Sequence, residues 1–156
     1  MIDKSELRKA LGRFATGITV VTVAKPDGGV HGMTANSFTS VSLAPPLILV
    51  CVDARANLLP LLTTAGRFGV SVLNEDQQAL SELFARPHPE LSPGVHFRPS
   101  LHGTPLLEGV LATFDCKVVD AHVAGDHTIF IGEVEEMSWV DGNPLMYFSG
   151  AYRKLR

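Results

Sequence analysis

Gly32-Met33-Thr34-Ala35-Asn36-Ser37-Phe38-Thr39-Ser40-Val41-Ser42-Leu43-Ala44-Pro45-Pro46 holds many neutral hydrogen-bonding groups and small side chains but no charged residue. Such a stretch lets a flat ligand lie against backbone: small side chains permit close approach, and amide or hydroxyl groups can meet polar ring atoms. By residue chemistry alone, a polar turn between strands is the simpler alternative. Pro45-Pro46 forbids regular helix and introduces Leu47-Ile48-Leu49-Val50-Cys51-Val52, which reads as a buried strand. That run is far short of the roughly 20 apolar residues needed to cross a bilayer.

Working outward, β-branched residues dominate from Ile18 through Val23, and Pro26-Asp27-Gly28-Gly29 supplies turn chemistry before an extended segment from Val30. A hairpin is the simplest reading. Upstream, Asp3 is placed to cap a helix, with Glu6 completing a pair like a capping box. Leu7, Ala10, Leu11 and Phe14 share one face of that helix, which should lie on the barrel. Downstream, Asn57-Leu58-Leu59-Pro60-Leu61-Leu62 predicts a short helix with proline in its first turn. Phe68 to Leu73 reads as a strand.

Asn74, Glu75 and Asp76 supply the cap and acidic first turn of a helix running to about Phe84. Arg86 to Pro105, rich in proline and glycine, reads as one long irregular loop, a length associated with function or mobility. In Val110 to Val119, Ala112, Phe114, Cys116 and Val118 alternate with Thr113, Asp115, Lys117 and Val119, predicting a strand with one mainly apolar face. Ile129 to Glu135 and Trp139 to Phe148 complete the β content. Six or so strands with a few short helices, without βαβ alternation, favour a closed antiparallel barrel over a doubly wound sheet.

The 156 residues fit a single domain, 1–156, and 46% hydrophobic with 19% charged residues is ample for a core. Thirteen basic against 16 acidic residues, without a basic run, give no footprint for nucleic acid or anionic membrane. Charge in Asp3-Lys4-Ser5-Glu6-Leu7-Arg8, where a secretory signal needs an apolar core, leads us to expect a cytoplasmic product. Cys51 and Cys116 have no metal or redox spacing and read as reduced core residues. The spacings of His88, His96 and His102 match no compact metal motif, so no metal is expected. No GxSxG elbow supports Asp126-His127 as part of a hydrolase triad, and neither GxGxxG nor GxxxxGK[ST] occurs.

The opening stretch is one of several motifs arranged in a recognisable order. Phe14-Ala15-Thr16-Gly17-Ile18-Thr19-Val20-Val21-Thr22 precedes it, and Phe68-Gly69-Val70-Ser71-Val72-Leu73-Asn74 follows. Later come Gly125-Asp126-His127, Gly132-Glu133-Val134, Pro144-Leu145 and Gly150-Ala151-Tyr152. In this set and order, covering nearly the whole chain, the sequence resembles the small flavin reductases of the FMN-binding split-barrel family. These serve as reductase components of two-component flavin-dependent monooxygenases.

The resemblance implies a mainly β fold with short helices, an antiparallel Greek-key split β-barrel. It implies an NAD(P)H:flavin oxidoreductase in which hydride passes from NADH or NADPH to FMN or FAD, with no protein group acting as nucleophile. It places the flavin ring against Thr34, Ala35, Asn36 and Ser37. Ribityl and phosphate contacts fall on Ser40, on Cys51, Val52 and Asp53, and on the Arg55 to Asn57 turn. Arg55 reads equally as a phosphate cation or a solvated surface residue. Phe84 and Ala85 match a position beside the cofactor, although Phe84 also reads as a core-facing helix residue.

His127 is the leading nicotinamide-side residue, with Tyr152 flanking the same site; without the resemblance, His127 reads as an ordinary structural or exposed histidine. Arg86-Pro87-His88-Pro89 departs from the glycine found here in many relatives, which leaves FMN and FAD both open. The implied partners are a second copy, forming a homodimer, and a separate flavin-dependent monooxygenase. Two other readings use the same barrel: a non-enzymatic flavin- or haem-binding module, and a flavin oxidase acting on a small substrate.

Overall fold

A computed structural model describes residues 1–91 and 93–156. Its centre is a seven-stranded antiparallel sheet in the order β3-β2-β6-β9-β10-β5-β4. The strands are β2 (Thr19–Ala24), β3 (Val30–Ala35), β4 (Phe38–Leu43), β5 (Pro46–Asp53), β6 (Arg67–Val72), β9 (Ala112–Ala124) and β10 (His127–Trp139). β1 (Thr16–Gly17), β11 (Met146–Phe148) and β12 (Ala151–Arg153) form a small second sheet, and β7 (Phe97–Pro99) pairs with β8 (Pro105–Leu107). β5 and β6, consecutive in the chain, are separated in the sheet by β9 and β10, the over-and-back connection of a Greek key.

The expected hairpin is present, with Ala24 opposite Val30 and Thr19 opposite Ala35. The expectation of a closed barrel needs correction. The order ends on β3 and β4, which are joined through the chain at Asn36-Ser37 and by no described ladder, so the barrel is split along this seam.

Residues from β2, β3, β5, β6, β9 and β10 meet in one core containing Val21, Val50, Phe68, Cys116 and Phe130. The helix α2 (Leu58–Ala65) joins it through the fully buried Leu58 and Leu62. A second cluster, with Ile18, Val20, Leu73 and Leu107, gathers around Phe84 of α3 (Gln78–Phe84). Because successive strand side chains face opposite ways, β2 sends Val21 and Val23 to the first core and Val20 to the second. That explains an unbroken β-branched run where one solvated face would have produced alternation.

Four further expectations are revised. α1 (Lys4–Leu11) is capped as predicted, the Glu6 N–H donating to Asp3 Oδ1 at 3.0 Å, but none of its residues is buried. Leu11 is 64% and Phe14 79% exposed, so the apolar stripe does not lie on the barrel of its own chain. α3 begins at Gln78, because Asn74 Oδ1 accepts the Asp76 N–H at 2.9 Å and Gln77 Oε1 accepts the Asn74 N–H at 2.8 Å. This local turn competes with the helix and leaves Glu75 and Asp76 ahead of it. The long loop contains the β7–β8 hairpin, which covers β2: Thr22 Oγ1 donates to the Pro105 carbonyl. Ser92, in the same loop, lies outside the described residues. Among those described, no helix is long and apolar enough to cross a membrane.

Asp115 is the fourth revision, for it is fully buried. Cys116 faces the barrel core, while Asp115 lies under Arg67, whose Nη2 donates to Asp115 Oδ2 at 2.9 Å and whose Nη1 donates to Glu135 Oε1 at 2.6 Å. Burial alone would raise the Asp115 pKa, but hydrogen bonding from Thr104, Ser100 and Arg67 outweighs it and holds the carboxyl below its ordinary range.

Candidate functional site

β3 is an edge of the main sheet, and α2 and α3 flank it. Between them runs an open groove of about 640 Å³, bordered by His31, Gly32 and Met33 of β3, by the turn from Asp53 to Leu58, and by Phe84 to His88. Gly32 permits the close approach that shapes it: a Cβ there would lie 2.7 Å from Phe84 Cδ1. The Phe84 ring is consequently buried against β3 and packs edge-on to Phe97, with centroids 6.2 Å apart. Phe84 is thus both a core residue and a border of the groove.

The turn from β5 into α2 is set by a bidentate ion pair. Arg55 donates through Nε to Asp53 Oδ1 at 3.2 Å and through Nη2 to Oδ2 at 3.0 Å, while its backbone N–H donates to Oδ1 at 2.8 Å. These bonds lower the Asp53 pKa to about 2. Arg55 is therefore committed to Asp53, and the start of α2, at Ala56, Asn57 and Leu58, borders the groove, with the Ala56 N–H donating to the Asp53 carbonyl at 3.0 Å. Asn57 makes no side-chain cap; its Nδ2 donates to the Pro87 carbonyl at 2.8 Å and ties the two walls together.

His127 stands opposite Asp53 in the β5–β10 ladder. Its Nδ1 lies 2.7 Å from Asp126 Oδ1, and Asp126 in turn accepts the Ala54 N–H on its backbone carbonyl at 2.9 Å. The hydrogen bond to His127 holds the Asp126 carboxyl below its ordinary pKa. A carboxylate on Nδ1 fixes the ring's orientation and leaves Nε2 for a ligand. The Gly125-Asp126-His127 loop thus lies at the groove's Asp53 end.

The remaining sequence-predicted residues are distributed around this centre. Asp53, Asn57, Phe84 and Ala85 share the groove, whereas Asn36 lines a second cavity of about 380 Å³ with Phe14, Thr16 and Phe38. Thr34 lies between them, its hydroxyl donating to the Ser81 carbonyl at 2.6 Å. Ser81 Oγ is 2.8 Å from the Tyr152 hydroxyl, so Tyr152 touches α3 and packs on Tyr147. Ala35 is a core residue whose carbonyl accepts the Thr19 hydroxyl at 2.7 Å. Ser37 bonds the Cys51 backbone, its hydroxyl donating to the carbonyl at 2.9 Å.

Val52 is fully buried and belongs to the barrel core. Cys51 is half-buried, with its thiol pKa raised by burial, and Ser40 stands on the edge strand β4 at a bulge. The sequence reading did not single out His31. Burial foremost, then the charges of Lys25 and His88, lower its pKa. The period-two pattern of β3, with Met33 as its neighbour on the same face, was the available signal.

A seven-stranded split barrel with a groove between α2 and α3 defines a cofactor-binding scaffold. The flavin reductase-like domain profile matches residues 11–156, and the chain belongs to that family. An NADH-dependent flavin reductase from a Rhodococcus species is 47% identical over 96% of this chain and 85% of its own length. The reductase subunit of a flavin-dependent monooxygenase from Mycobacterium tuberculosis is 40% identical over 97% and 82%. Among solved structures, an NADH:FAD oxidoreductase from Streptomyces globisporus C-1027, in complex with NAD and FAD fragments, superposes with a TM-score of 0.92 at 38% identity, covering 99% of this chain and 93% of that one.

Proposed function

We propose that this chain is an NAD(P)H:flavin oxidoreductase that supplies reduced FMN or FAD to a separate monooxygenase. The observation that carries the reading is the groove itself, in which the turn from Asp53, the start of α2 and the wall at Phe84 meet, with the Asp126-oriented His127 opposite Asp53 in the ladder. The donor chemistry fits a flavin nucleotide. Backbone at Asn57, where α2 starts, suits a phosphate, and the nearby Asp53 carboxylate is paired with Arg55. Thr34 to Ser37, at the seam between the two cavities, offers backbone and small polar groups to a ring.

Flavin, when bound, supplies the hydride-accepting ring; the protein's part is placement and electrostatics. His127 Nε2 is positioned for a nicotinamide amide or phosphate, and Tyr152 supports α3 from behind through Ser81. A second copy completes the assembly: the wall of the Asn36 cavity includes the exposed Phe14, and a homodimer would cover it together with Leu11. Steady-state NADH oxidation in air tests the proposal. It should require added flavin and saturate with it; flavin retention with no NADH or NADPH oxidation would instead support a binding module.

A further inference from the structure

Three hydrogen-bonding side chains meet behind the wall that carries Phe84 and Ala85. Ser81, one turn before them on α3, is fully buried, and its Oγ lies 2.8 Å from the Tyr152 hydroxyl on β12. The Ser81 carbonyl accepts two donors, the Ala85 N–H at 3.1 Å and the Thr34 hydroxyl at 2.6 Å. A carbonyl oxygen has two lone pairs, so the helix keeps its own bond while β3 takes the second. Thr34 and Gly32 share a face of β3, and Ser81 and Phe84 share a face of α3. The helix is therefore held to the strand at two points, a polar one at Thr34–Ser81 and a close-packed one at Gly32–Phe84. Tyr152 adds a third hold from the small sheet, where it stands opposite Tyr147 with ring centroids 5.5 Å apart.

The family resemblance places Thr34 and Tyr152 against the ligands, yet both direct their hydroxyls to Ser81, a residue the sequence reading did not single out. We infer that Ser81 is a positioning residue for hydride transfer: bonded to Thr34 and Tyr152, it fixes the wall at Phe84 and Ala85 relative to the ring bed at Thr34 to Ser37. This rests on the flavin reductase reading above. Reaction rate is steeply sensitive to placement, with roughly hundredfold lost for a misplacement of about 1 Å. Binding is spread over a whole nucleotide and depends far less on the register of one wall. A loosened α3 therefore costs rate rather than affinity.

The test is anaerobic single-turnover reduction of the flavin-loaded protein over a range of NADH or NADPH concentrations, which separates the limiting reduction rate from the nicotinamide Kd. Wild type, Ser81→Ala, Tyr152→Phe and the double variant are compared. Ser81→Ala removes the hydroxyl but keeps the carbonyl that Thr34 uses. Tyr152→Phe deletes one oxygen from a half-buried ring, and decides the question if the α3 variant folds poorly. Each single variant should lower the limiting rate about tenfold, short of the full cost of a 1 Å shift, with nicotinamide Kd and flavin affinity within about twofold of wild type. The double variant should be no slower than the slower single, as two ends of one contact require. A lowered thermal midpoint with an unchanged limiting rate would make the contact merely structural and overturn the inference. A raised nicotinamide Kd at unchanged rate in Tyr152→Phe, or losses that multiply in the double variant, would also overturn it. A wild type that neither NADH nor NADPH reduces would overturn the underlying reading, and the inference with it.

Discussion

Asp115 shows how one residue can escape a periodicity argument. The alternation through β9 assigns it to the solvent side, and that side is indeed opposite the barrel core. What the pattern omits is the segment from Ser100 to Thr104, whose Ser100 and Thr104 hydrogen-bond Asp115 on that face. Asp115→Asn should destabilise the protein by about 3 kcal/mol, at the low end for a broken buried pair because Arg67 keeps Glu135. Since its folded pKa is depressed, the stabilisation is complete above the unfolded value of about 3.9 and is lost as pH falls through the folded value. Urea midpoints measured from pH 6 down to pH 2 should therefore converge for wild type and variant in acid; a constant gap would contradict this origin. At the groove, His127→Ala should raise the KM for NADH about tenfold while leaving flavin affinity within about twofold, as loss of one ligand hydrogen bond implies. Stopped-flow reduction and flavin titration separate the two effects, and an unchanged KM and turnover would remove the assigned role.

Elements were legible where local chemistry and packing agree. The β2–β3 hairpin follows from β-branched residues around a glycine-rich turn, and β5 from an apolar run after two prolines. α3 was legible only in its body, because Asn74 and Gln77 build a turn from the residues that a cap would use. β10 illustrates a constraint visible in sequence only as a bare glycine: a Cβ on Gly132 would lie 2.6 Å from Phe68 Cζ and 2.7 Å from Cys116 Cβ. Gly132→Ala should therefore cost about 1–3 kcal/mol by overpacking. A thermal midpoint unchanged in calorimetry would show that Phe68 has room to move. The candidate site was legible as a set of motifs but not as one cavity. Asp53 and Asn57 lie close in sequence, yet Phe84 and Ala85 reach them only because α3 packs on β3 at Gly32, while Asn36 turns toward the other cavity.

On the scale of the whole molecule, α1 has its cap and apolar stripe but no surface of its own chain to cover them. The exposed Leu7, Leu11 and Phe14, the last of which lines the Asn36 cavity, mark the face proposed to pair with a second copy. Leu11→Glu/Phe14→Glu should shift the protein from dimer to monomer in sedimentation velocity without lowering its β content, since neither side chain belongs to the core. A double variant that remains dimeric would place the interface elsewhere.

The central claim is that the groove brings nicotinamide and flavin together for hydride transfer. Its most direct test is anaerobic rapid mixing of the flavin-loaded protein with NADH, and separately NADPH, while following the oxidised-flavin band at roughly 450 nm. The account predicts rapid bleaching with at least one of the two; a bound flavin whose oxidised spectrum persists with both would contradict it.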